Sequence, residues 1–149
     1  MRVGELAAAV GRGIFAGAAG TAAMTASSTI EAKVRQRGSS SAPADAAGKV
    51  LGVQPKDPDG QARFSNVVHW GYGTGWGTVR GLIGAAGLRG APAAATHFAA
   101  IWGSSLVMLP VLDVAPPPWK MEGTELAVDA FHHIVYAGAT SAAYAFLEG

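Results

Sequence analysis

The sequence predicts an all-α fold, a bundle of four helices that cross a lipid bilayer, and three observations carry that expectation. Half of the 149 residues are apolar and only 14% are charged, well below the roughly one quarter usual for soluble domains. The charges are also unevenly placed. Residues 13–30, 91–112 and 130–147 contain no Asp, Glu, Lys or Arg, and in 64–79 the one interruption is His69. Uncharged runs of about 17 to 25 residues are what a helix needs to cross a hydrocarbon core of roughly 30 Å. Third, the polar atoms inside these runs come mainly from Ser, Thr and His, so the charged stripe of a soluble amphipathic helix is missing. A soluble Ala/Gly-rich bundle is the competing expectation, favoured by a mean hydropathy of only +0.26 and by just four large apolar side chains in 13–30. The charge distribution favours the membrane.

The elements follow in order within one integral membrane domain, 1–149. Residues 1–11 read as a short amphipathic lead-in, and the first span covers about 13–30. Arg2 and Arg12 precede an apolar stretch as they would in a secretory leader, but Glu5 and the lack of a leucine-rich segment argue for a retained span. Residues 31–63 form a long loop rich in Gly, Ser and Pro. One short helix is expected within it, with Ser41 as N-cap, Pro43 just inside, and a small apolar side of Ala46, Ala47, Val50 and Leu51 laid on the membrane surface or over the bundle mouth. The second span, about 64–88, turns through "RGAP" into the third, about 91–112, which stops at "DVAPPPWK" because consecutive prolines cannot continue a helix. The fourth covers about 125–147.

Lys33, Arg35, Arg37, Lys49, Lys56, Arg63 and Lys120 fall on one side of this layout, against Arg2, Arg12 and Arg89 on the other. The positive-inside rule then puts the long loop in the cytoplasm of a bacterial inner-membrane protein and both termini outside. The basic loop lacks interleaved aromatics and is balanced by Asp45, Asp57 and Asp59, so nucleic acid is not an expected partner. The bilayer is.

The stretch "HWGYGTGWG", 69–77, alternates glycine with larger residues. It lacks the spacing of a dinucleotide loop and the TVGYG order of a potassium filter. As a helix, Gly73, Gly77, Gly81 and Gly84 form one smooth stripe, and Gly71 and Gly75 a second, nearly opposite. Gly13, Gly17 and Gly20 repeat the device in the first span. In lipid such stripes let backbones approach closely, within one chain or between two copies of a homo-oligomer. A shift of 64 residues lays His69 on His133, Tyr72 on Tyr136, Gly73 on Ala137 and Gly77 on Ser141, consistent with two parallel two-helix repeats.

Ionisable residues collect at the loop side. Glu125, Asp129, His132 and Tyr136 fall on one helical stripe with His133 beside it, and Glu31, His69 and Asp113 sit at the same level. His69, Asp129, His132 and His133 are therefore the candidate ligands for a divalent metal, or a proton relay, or interhelical hydrogen-bonding groups. Glu31, Asp113 and Glu125 are expected to be solvated or paired with Lys33, Lys120 and Arg63. His97 reads as an interfacial histidine, and Arg80 as a snorkelling or Trp76-stacked residue at the outer boundary. No nucleophile elbow, HExxH or EF-hand loop occurs, and cysteine is absent, so no catalytic residues are assigned and no cofactor is expected beyond that metal.

"HWGYGTGWG" in a second span, "LP" followed by "APPPWK" after a third and "HHIVYAGAT" in a fourth together resemble small bacterial inner-membrane proteins of the YagU-like kind. The resemblance extends over most of the chain and departs from the pattern at Arg80. It implies a four-span inner-membrane protein and supplies no catalytic residues. The expected function is a non-catalytic membrane role in which the His/carboxylate cluster is structural or senses pH; the alternative is a small transporter or channel using the same residues as a proton or metal site.

Overall fold

The computed structural model describes residues 2–38 and 40–149. Among them are five α-helices and no strand: α1 (Val3–Val34), α2 (Ala42–Leu51), α3 (Pro58–Ala85), α4 (Gly90–Val111) and α5 (Gly123–Glu148), with a 3-10 turn at Pro118–Lys120 before α5. The all-α class is as expected. Two of these helices, α1 and α4, are long and apolar enough to cross a membrane.

Local chemistry explains the boundaries. The lead-in expected at 1–11 is continuous with the first span, because Glu5 accepts a hydrogen bond from the Arg2 backbone N–H (2.9 Å) and starts the helix early. Asp57 caps α3 by accepting from Gly60 N–H at 2.7 Å, and Pro58 occupies the first helical position, where its missing donor costs nothing. The helix therefore begins ahead of residue 64 and ends at Ala85. Gly87 and Gly90, at φ 93° and 58°, make the tight turn into α4. In α2, Ser41 stands at the N-cap position as expected, yet its hydroxyl donates to Asp45 Oδ2 instead of capping. The buried side of α2 is Ala44 and Ala46, which packs it on α3; Val50 and Leu51, expected on that side, are exposed.

The long helices alternate in direction. Thr25 meets His69 while Gly13 meets Gly77, and Ser27 meets His132 while Arg12 approaches Tyr144, so α3 and α5 both run antiparallel to α1 and flank it. Helix α4 closes the bundle against α5 and α3. Between α1 and α3 the backbones touch: a Cβ on Gly77 would lie 2.7 Å from the Cα of Gly17 and collide with the carbonyl of Gly13, and one on Gly81 would collide with that of Ala9. Gly73 faces Thr21, Gly84 faces the Tyr144 ring, and Gly20 faces Tyr136 and Thr140 of α5. The second stripe expected to pack does not, since Gly71 and Gly75 have no neighbour and line an open groove with Tyr72, Trp76 and Val79. Nor do the positions of the 64-residue echo share environments: Tyr136 is 1% exposed and Tyr72 38%.

Gly77→Ala must push two backbones apart, and overpacking of this kind costs about 2 kcal/mol. Thermal unfolding in detergent should show that loss, whereas Gly75→Ala, on the open face, should stay within about 0.5 kcal/mol of wild type.

Candidate functional site

The interior of the bundle is polar. Thr21, Arg80, His97, Ser105, His132, Thr140 and Ser141 are buried, alongside few large apolar side chains: Ile101, Tyr136 and Tyr144. At the end where the long loop lies, hydroxyls set the roles of the histidines. Thr25 Oγ1 donates its one proton to Thr21 O (2.7 Å), so the 2.8 Å contact with His69 Nε2 must be donated by the imidazole. Ser27 Oγ likewise donates to Met24 O, and His132 Nδ1–H therefore donates to Ser27 at 2.9 Å. His133 Nδ1 donates to the carbonyl of Asp129 in its own helix (2.8 Å). Asp129 Oδ2 accepts from Trp102 Nε1 on α4 (2.8 Å).

The four residues expected to share a metal, His69, Asp129, His132 and His133, do not face one point, although Asp129 and His133 approach each other at 3.5 Å within α5. His69 reaches α1 from α3, His132 reaches α1 from α5, Asp129 points to α4, and His133 turns onto its own backbone. Among the described residues no three His, Asp or Glu side chains come together around one point. The stripe read from Glu125 to Tyr136 is split by the packing of α5 between α1 and α4.

His132 Nε2 faces Glu31 Oε2 at 3.6 Å and has no hydrogen-bond partner. Glu31, one residue past the uncharged run, pairs with Arg37 and Arg35, and Arg35 Nη2 also binds Glu125 Oε1 at 2.5 Å. These arginines take the place of the lysines and Arg63 expected as partners. The hydrogen bond from Arg37 is the main cause that holds the Glu31 carboxyl below its ordinary range; partial desolvation opposes it and Arg35 adds to it. Lys49 of α2 donates to the carbonyls of Leu112 (2.6 Å) and Asp113 (3.0 Å), capping α4 and tying the loop across this end.

Higher in the bundle, Tyr136 donates to Gly73 O at 2.6 Å, and His97, fully buried, donates from Nε2 to Trp76 O at 3.0 Å and packs on Tyr136. His97 is therefore a core residue and not an interfacial one. Arg80 is also inside, 2% exposed, with Nε donating to Ser141 Oγ (3.0 Å) and its guanidinium 4.3 Å from the centre of the Tyr144 ring, not on Trp76. Its spacing from Gly73, Gly77 and Gly84 places it on their stripe, a signal available in the sequence. His97 shares its face with Ala93, Ile101 and Ser105, which are small or apolar and gave no such cue.

No family model matches the chain, and neither the curated proteins nor the solved structures contain a match to it.

Two outcomes follow. Tyr136→Phe removes a buried interhelical hydrogen bond and should lower thermal stability by about 1 kcal/mol. A carboxyl with a depressed pKa adds stability above its ordinary value, near 4.5, and loses it as the pH falls through the depressed one. The fall in melting temperature of wild type below pH 4.5 should accordingly be shallower in Glu31→Gln.

Proposed function

We propose that the chain is a small four-span protein of a bacterial inner membrane, of the YagU-like kind, with a non-catalytic role in which the His/carboxylate cluster ties the helices together and responds to pH. The observation that carries the membrane reading is the inverted distribution of side chains. Arg80, His97, His132 and Thr140 are buried, while Phe15, Val67, Val107, Phe131, Ile134 and Phe146 lie on the outside. In water this arrangement would bury polar groups and expose apolar ones together; in lipid both placements are favourable.

The four long helices have 32, 28, 22 and 26 residues. At about 1.5 Å per residue each can reach across a core of roughly 30 Å. Helix α4 supports the reading most directly, because only 11% of its most apolar window is buried inside the bundle. Helices α3 and α5 turn Gly73, Gly77, Arg80 and Gly81, and His132, Thr140 and Ser141, into the bundle. The trans-bilayer part of α1 is 13–30, which leaves Glu31 and its arginines at the cytoplasmic surface with the basic loop.

The pH reading rests on His132. Its Nδ1–H is committed to Ser27, so a proton added at Nε2 would turn the 3.6 Å approach to Glu31 into an ion pair. Glu31 is already shared by Arg35 and Arg37, and Glu125 faces the same arginine from α5. This role is preferred to a metal-dependent transporter because His69, His132 and Asp129 each already serve a different interhelical hydrogen bond and His133 is held by Asp129 of its own helix.

The chain has no cysteine, so single-cysteine labelling reports topology cleanly. The protein should stay in the membrane fraction through an alkaline carbonate wash. Gly52→Cys in the loop should react with an impermeant maleimide only after the cells are permeabilised, and Gly4→Cys in intact spheroplasts. Release by carbonate, or labelling of the two positions from the same side, would remove the four-span reading.

A further inference from the structure

Helix α2 carries an apolar side along its whole length, and the bundle covers only the first part of it. Ala44 and Ala46 are buried and pack the helix on α3, and a Cβ on Gly48 would come within 3.9 Å of the Phe64 ring. Val50 stands one helical turn beyond Ala46 and Leu51 two turns beyond Ala44, on the same side. These two are nevertheless 67% and 65% exposed. Gly52, at φ 66°, ends α2 directly after them, so the bare pair forms the tip of the helix. The last turn of α2 therefore overhangs the edge of the bundle.

Lys49 fixes the level of this overhang. From the polar side of α2, which it shares with Asp45, its Nζ donates to the carbonyls of Leu112 (2.6 Å) and Asp113 (3.0 Å). A lysine side chain reaches roughly one helical turn, so Val50 and Leu51 are held close to the level at which α4 ends. In the four-span reading, on which this inference rests, that level is the cytoplasmic boundary of the third span. Two neighbours at this end have the same character: Val111, in the last turn of α4, is 76% exposed, and Trp119, in the turn after it, is 82% exposed. An indole at the end of a span suits the headgroup layer.

The exposed apolar tip is thus continuous with the outer face of α4, which the same reading places in lipid. An in-plane amphipathic helix sinks its apolar side about 5–10 Å into the boundary between headgroups and acyl chains. Asp45 and Lys49 carry opposite charges, so recognition depends on the apolar side chains rather than on a charged patch.

We propose that α2 is an in-plane membrane anchor whose tip, Val50 and Leu51, inserts into the cytoplasmic leaflet beside α4, while Lys49 ties it to the end of that helix. The partner is the lipid surface. The loop between α1 and α3 is then fastened to the bilayer at its middle.

The chain has no cysteine, so full-length Leu51→Cys, Asp45→Cys and Val107→Cys each carry one bimane label after reconstitution into vesicles of phosphatidylethanolamine and phosphatidylglycerol. Val107 is 65% exposed on α4 and reports the span itself. The Leu51 label should emit blue-shifted from its value in water and lose most of its intensity to lipid bearing a nitroxide at the top of the acyl chain. The Asp45 label should keep a water-like emission and be quenched far less. Adding Val50→Asp to Leu51→Cys should return the label to water-like emission; both positions are exposed, so the fold does not depend on them. A water-like, unquenched Leu51 label beside a quenched Val107 label overturns the anchor and leaves the four-span reading standing. Equal quenching at Leu51 and Asp45 also overturns it, because α2 then has no lipid side. If the Val107 label is unquenched as well, the four-span reading fails and the anchor fails with it.

Discussion

The backbone contact between α1 and α3 sets the geometry of everything else in the molecule. Gly13 and Gly17 meet Gly77 and Gly81 with no side chain between them. In lipid, burying apolar surface between helices gains nothing over leaving it in contact with acyl chains, so association depends on van der Waals fit and on hydrogen bonds. Close approach supplies the first. It also brings hydroxyls on α1 within reach of α3 and α5, which supplies the second. With α1 at the centre, α5 docks on its other side at Gly20, and α4 reaches the core through His97 and Ile101.

The polar interior follows a simple rule. Thr21, Thr25 and Ser27 each donate to a carbonyl of their own helix, and their oxygens are then free to accept from another. Histidine donors on α3 and α5 fill two of those positions. Such bonds are short and shielded from water, so breaking one leaves a buried polar group without compensation. This explains why His69 and His132 act as ties between helices and do not gather into one site.

The two ends differ in kind. The loop end is closed by Lys49 on the carbonyls after α4 and by the Arg35, Arg37, Glu31 and Glu125 network. The opposite end keeps a cavity lined by Glu5, Arg12, Tyr144 and Glu148.

The sequence by itself determined the long helices, because long uncharged runs and proline or glycine stops act locally, while the Asp57–Pro58 start of α3 lay in the stretch read as loop. It also determined the principal glycine stripe, Gly73, Gly77, Gly81 and Gly84, which meets α1 and α5. Legible in part was the site: His69, Asp129, His132 and His133 were all picked out as functional polar groups, but a helical stripe records only angle along one helix. Which neighbour each residue meets depends on how the helices are arranged, and that arrangement sent Asp129 to Trp102 and His132 to Ser27. The same arrangement left Gly71 and Gly75 unpacked and drew His97 and Arg80 inside. Composition cannot separate a buried arginine from a snorkelling one; the difference lies in whether Ser141 and Tyr144 stand opposite it, and only tertiary structure decides that.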